Sequence, residues 1–465
     1  MTWDSLLCQK RIKEVRDLPR TEKYPGDIRN AFEQDYGRAV FCTPVRRLQH
    51  KAQVFPLEPI DSVRTRLTHS LEVSSVARGL ASNIVKSLSH SINPEHAASI
   101  VTVAATCGLL HDLGNPPFGH AGERAMAEWF TDRLNPEVQA ALLAGSRQLV
   151  EDFRLFEGNA QTLRFVCRLQ VLADPYGLNL TLGTLSALCK YTAASHEVTP
   201  EYHERSKPGY FASEQDIIDV IRRDTGTLDR RNPIAFIVEA ADDICYCTVD
   251  LEDAVKKDIL AWKDIADRVA QCSMGQACIE WVNQYIDNGR KSWHTEVSMP
   301  DDDAYAQAFR TRAIATMVVS AADTFVTHYD EIMSGVFHDE LLRSSAAKGL
   351  HELCKKLGRE RVYFSRPNLR LEVLGRNVIQ SLMDIFWEAA EFAPYQGEEA
   401  RGFPGKLYAL MSSNHRNVFE DTVAASDQNT STLPPEYCRV QLVTDYVSGM
   451  TDTFACDLHR RLLNG

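Results

Sequence analysis

No two cysteines stand in C-x-x-C spacing, although the chain has 12 cysteines among 465 residues. Several of them, such as Cys107, Cys167 and Cys189, fall within apolar helical patterns, so reduced core thiols are expected rather than disulfides or a thiolate zinc site. An apolar run of 18 residues is also missing, and Met1-Thr2-Trp3-Asp4 opens no signal-peptide pattern. Neither membrane insertion nor export is expected, and a cytoplasmic address is. There is no Walker-type glycine loop and no G-x-S-x-G elbow, which argues against P-loop and serine-hydrolase chemistry. Positive charge is in deficit: the net charge of -12 disfavours a strongly basic nucleic-acid-binding protein. An anionic ligand would then need local help, from a metal ion or a few arginines and lysines.

What the chain does have is apolar residues at three- and four-residue spacing over most long segments, with few alternating runs, so the fold class is all-α. The segment AASIVTVAATCGLL (97–110) predicts a buried helix ended by Gly114, Asn115 and the Pro116-Pro117 pair, with His111 and Asp112 on its C-terminal turn. Asn232-Pro233 predicts the start of another helix, running to about Lys257. Its buried stripe is Ile234, Ile237, Val238, Ala241, Ile244 and Cys245, and beside it Asp242, Tyr246 and Asp250 recur at intervals of four. Such a polar line either serves one ligand or faces solvent. Softer boundaries lie near 195–212, 287–304 and 394–432. The expected organisation is a helical core over 1–285, with a C-terminal helical region, 286–465, packed on it or continuous with it.

His111 and Asp112 are adjacent metal-capable side chains, and His69 in RTRLTHSLEV and Asp242 in IVEAADDICY supply two more on expected helices. Two imidazoles and two carboxylates suit a borderline or hard divalent ion, such as manganese, magnesium, iron or cobalt. His120 follows Pro-Pro-Phe-Gly, and Glu123 lies one turn on, where it would hold the imidazole and raise its pKa as a general acid requires; a plain helix cap is the competing role. Arg64 and Arg66 stand just before His69, and Lys207 sits in a Lys-Pro-Gly-Tyr loop, so Arg66 and Lys207 are candidates to meet phosphate. Tyr210 and Tyr246 are candidates to bracket a sugar or base. His196 and His203 read as ordinary surface or capping histidines. The basic, aromatic-interleaved stretch 343–376 reads as a solvated helix face, ahead of a contact with single-stranded nucleic acid or a neighbouring subunit.

Taken in order, RRLQHKAQVFPLE (46–58), RTRLTHSLEV (64–73), HDLGNPPFGHAGE (111–123), FEGNAQTLR (156–164), KPGYFASE (207–214), EAADDICYCTVDLEDAV (239–255) and QLVTDYVSGMTDTFA (441–455) resemble the HD-domain deoxynucleoside triphosphate triphosphohydrolases, and among them the bacterial deoxyguanosine triphosphate triphosphohydrolases (dGTPases). The resemblance implies an HD-domain helical core with additional C-terminal helices. It implies hydrolysis of dGTP, with other dNTPs open, at the α-phosphorus, to deoxyguanosine and tripolyphosphate. By position it gives His69, His111, Asp112 and Asp242 as ligands of a divalent metal (Mg2+ or Mn2+, with Fe or Co open) and His120 with Glu123 as the proton-transfer pair. Arg66 and Lys207 match positions facing phosphate, and Tyr246 and Asp250 positions near the 3'-hydroxyl. Gln53 matches a position beside the deoxyribose, where a close side chain leaves no room for a 2'-hydroxyl. Glu157, Asn159 and Gln161 share a segment without an assigned role. A homo-oligomer, a hexamer, and activation by single-stranded DNA are further implications. Two other readings stand beside this one: an HD phosphodiesterase for another nucleotide, and a regulatory nucleic-acid-binding HD protein with a vestigial site.

Overall fold

Local caps decide where the helices begin. In the computed structural model, which describes residues 1–15, 25–58, 60–170, 175–292, 301–391, 393, 402–428 and 432–464, ten helices frame the site. They are α1 (Arg66–Ser87), α2 (Pro94–Leu110), α3 (Gly119–Asp132), α4 (Gly158–Arg164), α5 (Pro233–Lys256), α6 (Asp302–Thr327), α7 (Lys348–Leu357), α8 (Arg366–Glu391), α9 (Pro435–Ser448) and α10 (Asp452–Asn464). Thr65 and Thr68 form a reciprocal cap at the start of α1. Asn93 caps α2 and Asn232 caps α5, each followed by a first-turn proline that has no amide to leave unpaired. Strand structure among the described residues is a two-stranded parallel sheet, β1 (Ala193–Ala194) with β2 (Pro208–Tyr210), so the chain is all-α in class. Parts of the softer boundaries at 287–304 and 394–432 lie outside the described residues. No helix among those described is long and apolar enough to cross a membrane.

The apolar side chains separate into two clusters. One is built largely from α1, α2, α5, α6 and α7, with Val73, Leu80, Val103, Leu110, Ile237, Ile244, Met317 and Leu350 all buried. The other joins α3 to α8 and α9, with Trp129, Phe130, Phe153, Phe386, Tyr437 and Val443 at its centre. Full burial of one such aliphatic or aromatic side chain contributes about 1.5–3 kcal/mol, so each cluster can hold its helices in register. Residue 285 lies inside the helix Ser273–Ser292, and helices beyond it as far as α7 join the first cluster. Close approach of α1 and α2 depends on Gly108, because a Cβ there would meet Ser74 Cα at 2.9 Å.

Candidate metal centre and proton-transfer pair

Three helix segments of the first cluster bring His69, His111, Asp112 and Asp242 together. His69 lies in the first turns of α1, His111 and Asp112 follow the last residue of α2, and Asp242 is midway along α5. His69 Nε2 is 3.1 Å from Asp242 Oδ1, and His111 Nε2 is 3.5 Å from both Asp242 Oδ1 and Asp112 Oδ2. Ligand atoms at about 2.0–2.2 Å from one ion lie roughly 3 Å or a little more from each other, and these spacings suit that. One ligand atom each from His69, His111 and Asp112 falls within a 4.8 Å set.

The protonation chemistry fits a cation as well. His111 Nδ1–H donates to the Gly108 carbonyl at 2.8 Å, which turns Nε2 toward the two carboxylates. That buried Nε2 has no hydrogen-bond partner, the condition of a ligand atom aimed at an ion. Burial opposes charge on His111, yet Asp112 and Asp242 raise it to about 9. Burial likewise works against an ionised Asp112, and His111 with Arg66 brings it down to about 2. The field that does this is the field that would hold a divalent cation. Asp112 is itself oriented, Oδ1 accepting from Asn115 Nδ2 at 2.6 Å and Oδ2 from Arg66 at 2.5 Å.

Next to this centre, α3 opens through two consecutive left-handed residues, Phe118 (φ 63°) and Gly119 (φ 56°). A Cβ on Gly119 would meet the Arg66 guanidinium at 2.7 Å, so the metal side and the first turn of α3 adjoin. His120 is inside that first turn, and its side chain is 78% exposed. Its Nδ1 is 2.7 Å from the buried Glu123 Oε2, and this bond is the main reason the His120 pKa is raised. Glu123 is fixed from its other oxygen by the Gly158 amide at the start of α4, 3.0 Å away. Burial pulls Glu123 up, but the bond to His120 leaves it below its ordinary range.

The remaining candidates, Gln53 apart, each have defined partners. Lys207 is half exposed and pairs with Glu157 at 2.8 Å. Gln53 follows Ala52, which bridges to Thr65 beside Arg66, and its buried Oε1 has no partner. Tyr246 carries Lys355 over its ring at 5.4 Å, and Asp250 accepts from the Tyr363 hydroxyl at 2.6 Å. Burial raises Asp250 to about 8 against that hydrogen bond. Tyr210 is buried on β2 with Arg222 over its ring at 5.3 Å, and it lines one cavity with Tyr191. Tyr191 has Lys190 and Lys207 5.7 and 5.8 Å from its ring centre.

The stretch 343–376 keeps most of its basic side chains in solvent, as expected, and turns a few other residues inward. Lys355 reaches Asp243 at 3.4 Å, Tyr363 reaches Asp250, and Gly375 lies so close to Phe118 that a Cβ would meet its ring at 2.5 Å. Sequence reasoning passed over Tyr191, Lys355, Tyr363 and Gly158. The available signal was slight: an aromatic amid basic residues in one case, and a glycine after an acidic cap in another. Their meaning comes from contacts across as many as 113 positions of chain.

Histidine and aspartate side chains gathered from the ends and middles of packed helices are the arrangement expected of an HD-type phosphohydrolase. Residues 66–161 match the HD domain and residues 396–461 the Phosphohydrolase-associated domain. Over 99% of both chains, the protein is 36% identical to a deoxyguanosinetriphosphate triphosphohydrolase-like protein of Listeria monocytogenes. It is 34% identical to a deoxyguanosinetriphosphate triphosphohydrolase of Klebsiella pneumoniae over 97% of both, and 33% identical to one of Salmonella typhimurium over 96% of both. The chain belongs to the deoxyguanosinetriphosphate triphosphohydrolase family of HD-domain proteins.

Proposed function

We propose that this chain hydrolyses deoxynucleoside triphosphates at the α-phosphorus, dGTP foremost, releasing the deoxynucleoside and tripolyphosphate. The observation that carries the reading is the buried, unpartnered His111 Nε2 facing two carboxylates and a second imidazole, with the His120–Glu123 pair across Arg66 from it. His69, His111, Asp112 and Asp242 would hold a divalent ion, Mn2+ or Mg2+. Such an ion, when bound, lowers the pKa of water and neutralises charge on the phosphoryl group.

The chain's own residues supply the rest. Arg66 and Lys207 hold phosphate oxygens, so that the α-phosphorus sits over the ligand cluster. Water adds its oxygen to that phosphorus as the bond to the 5'-oxygen breaks, and the proton it sheds passes to solvent, from which His120 is recharged after each turnover. His120, protonated through its bond to Glu123, gives the 5'-oxygen its proton, so the nucleoside leaves as a neutral alcohol. Tyr246 and Asp250 take the 3'-hydroxyl, and the unpartnered Gln53 Oε1 packs beside the sugar. A 2'-hydroxyl added there must either displace Gln53 or stay unpaired, and either choice penalises ribonucleotides. Tyr210, which lines one cavity with Tyr191, is taken with Tyr246 to bracket the sugar or base. The same reading includes a cytoplasmic setting, a homo-oligomer, proposed as a hexamer, and activation by single-stranded DNA.

Incubation with dGTP and Mn2+ or Mg2+ should release deoxyguanosine and tripolyphosphate on ion-exchange chromatography, and GTP should be a much poorer substrate. Release of dGMP with pyrophosphate would refute the proposed bond. A metal-loaded protein that leaves all four dNTPs intact would favour a regulatory HD protein.

A further inference from the structure

The last helix begins with a buried carboxylate whose two oxygens are divided between two distant loops. Asp452 Oδ2 accepts the Ala52 amide at 2.9 Å, and Oδ1 accepts the Phe118 amide at 3.0 Å. Ala52 immediately precedes Gln53, and it bridges to Thr65, the cap of the helix that opens with Arg66. Phe118 is the first of the two left-handed residues that aim α3, two positions before His120. Beside this carboxylate, Lys51 Nζ donates to the Asn115 carbonyl at 2.5 Å and to the Ser448 carbonyl at 2.8 Å. The turn from Ser448 to Asp452 thus grips the 51–53 segment and the 115–118 loop at once. Both Lys51 and Asp452 are almost wholly buried, with 3% and 2% exposure.

We infer that Asp452 is a positioning residue, which sets the proton-transfer histidine and the sugar-facing glutamine in register with each other although it touches neither. The physical reason lies in the fold's division. The ligand helices belong to one apolar cluster, whereas Phe118 and α3 belong to the other, so apolar packing alone leaves their relative placement loosely determined. A left-handed Phe118 also costs energy that some partner must offset. One carboxylate accepting two backbone amides does this without a mobile side chain on either loop. The amide of an asparagine cannot replace it, because one of its two ends is a donor and would face an N–H group.

The role rests on the proposed dNTP hydrolysis, so its test has one arm that needs no turnover. In Asp452→Asn, hydrogen exchange by mass spectrometry should speed up in the peptides carrying the Ala52 and Phe118 amides, with the α2 and α5 peptides unchanged. Mn2+ affinity, read by calorimetry, should stay within a factor of about 2, since no ligand lies in the moved segments. With dGTP, kcat should fall about 10- to 100-fold at nearly constant KM, the scale expected of a misplaced reacting group. The preference for dGTP over GTP should drop by about tenfold, because Gln53 is loosened too. A merely structural Asp452 would lower Tm and leave kcat per folded molecule and the dGTP preference where they were, and that result overturns the inference. Unchanged exchange at both amides overturns it as well. Lys51→Met, which removes the neighbouring grip and leaves the carboxylate, should slow turnover with less effect on the sugar preference; a larger loss of preference than in Asp452→Asn would assign the register to Lys51 instead. If the wild-type protein cleaves no dNTP, the substrate reading fails, and the exchange arm still shows whether the carboxylate joins the two loops.

Discussion

Metal-side and proton-side residues sit in differently built surroundings, although they adjoin through Arg66. His69, His111, Asp112 and Asp242 are carried by α1, α2 and α5, which pack against one another through fully buried Val73, Leu110, Ala241 and Ile244. Their spacing is therefore a property of a close-packed helical core, which deforms little. His120 is exposed, stands on a helix of the other cluster and is aimed by a short left-handed turn. Errors on the first side should abolish ion binding, whereas errors on the second should cost rate and leave the ion in place.

The sharpest way to break this contrast is a pair of single substitutions. Asp242→Ala removes the carboxylate that lies within 3.5 Å of both imidazoles, and should abolish Mn2+ binding by calorimetry and lower kcat by about 10³-fold or more, the effect of losing several kcal/mol of charge stabilisation. His120→Ala should lower kcat by about 10²- to 10⁴-fold and keep Mn2+ affinity, because it removes only the proposed proton donor. Equal loss of metal in both would dissolve the distinction between the two sides. The smallest effect belongs to Glu123→Gln. A raised pKa keeps His120 protonated to higher pH, so the acid form is present below that pKa and activity is lost as pH rises through it. Without the carboxylate the pKa falls back, so the alkaline limb of the kcat/KM profile should move to lower pH, with about a tenfold loss of kcat at neutral pH. A limb that stays in place would show that another group titrates there.

Much of the helical scaffold is legible from local rules. Asn232-Pro233 starts α5, and the apolar run 97–110 ends at a glycine-proline punctuated turn, because caps, first-turn prolines and periodicity are properties of neighbouring residues. The side chains that frame the site from afar are less so. Tyr210 and Tyr191 look alike in sequence, and only the fold sets Lys190 and Lys207 beside one ring and Arg222 beside the other. The 343–376 stretch has the composition of a solvated face, yet three of its residues pack against α5 or Phe118. Composition reports what a segment tolerates, and long-range packing decides what it touches.

By itself the sequence determined the all-α class, the helices that carry His69, His111, Asp112 and Asp242, and the one-turn spacing of His120 and Glu123, because each follows from periodicities of a few residues. Tertiary structure alone decided that His111 Nε2 would be buried without a partner between two carboxylates 130 positions of chain apart, a spacing read from Asp112 and Asp242. It also decided that one carboxylate at position 452 would hold the segments at 52 and 118. Those relations depend on how two apolar clusters meet, and a local pattern carries no information about the distance between helices that pack only after folding.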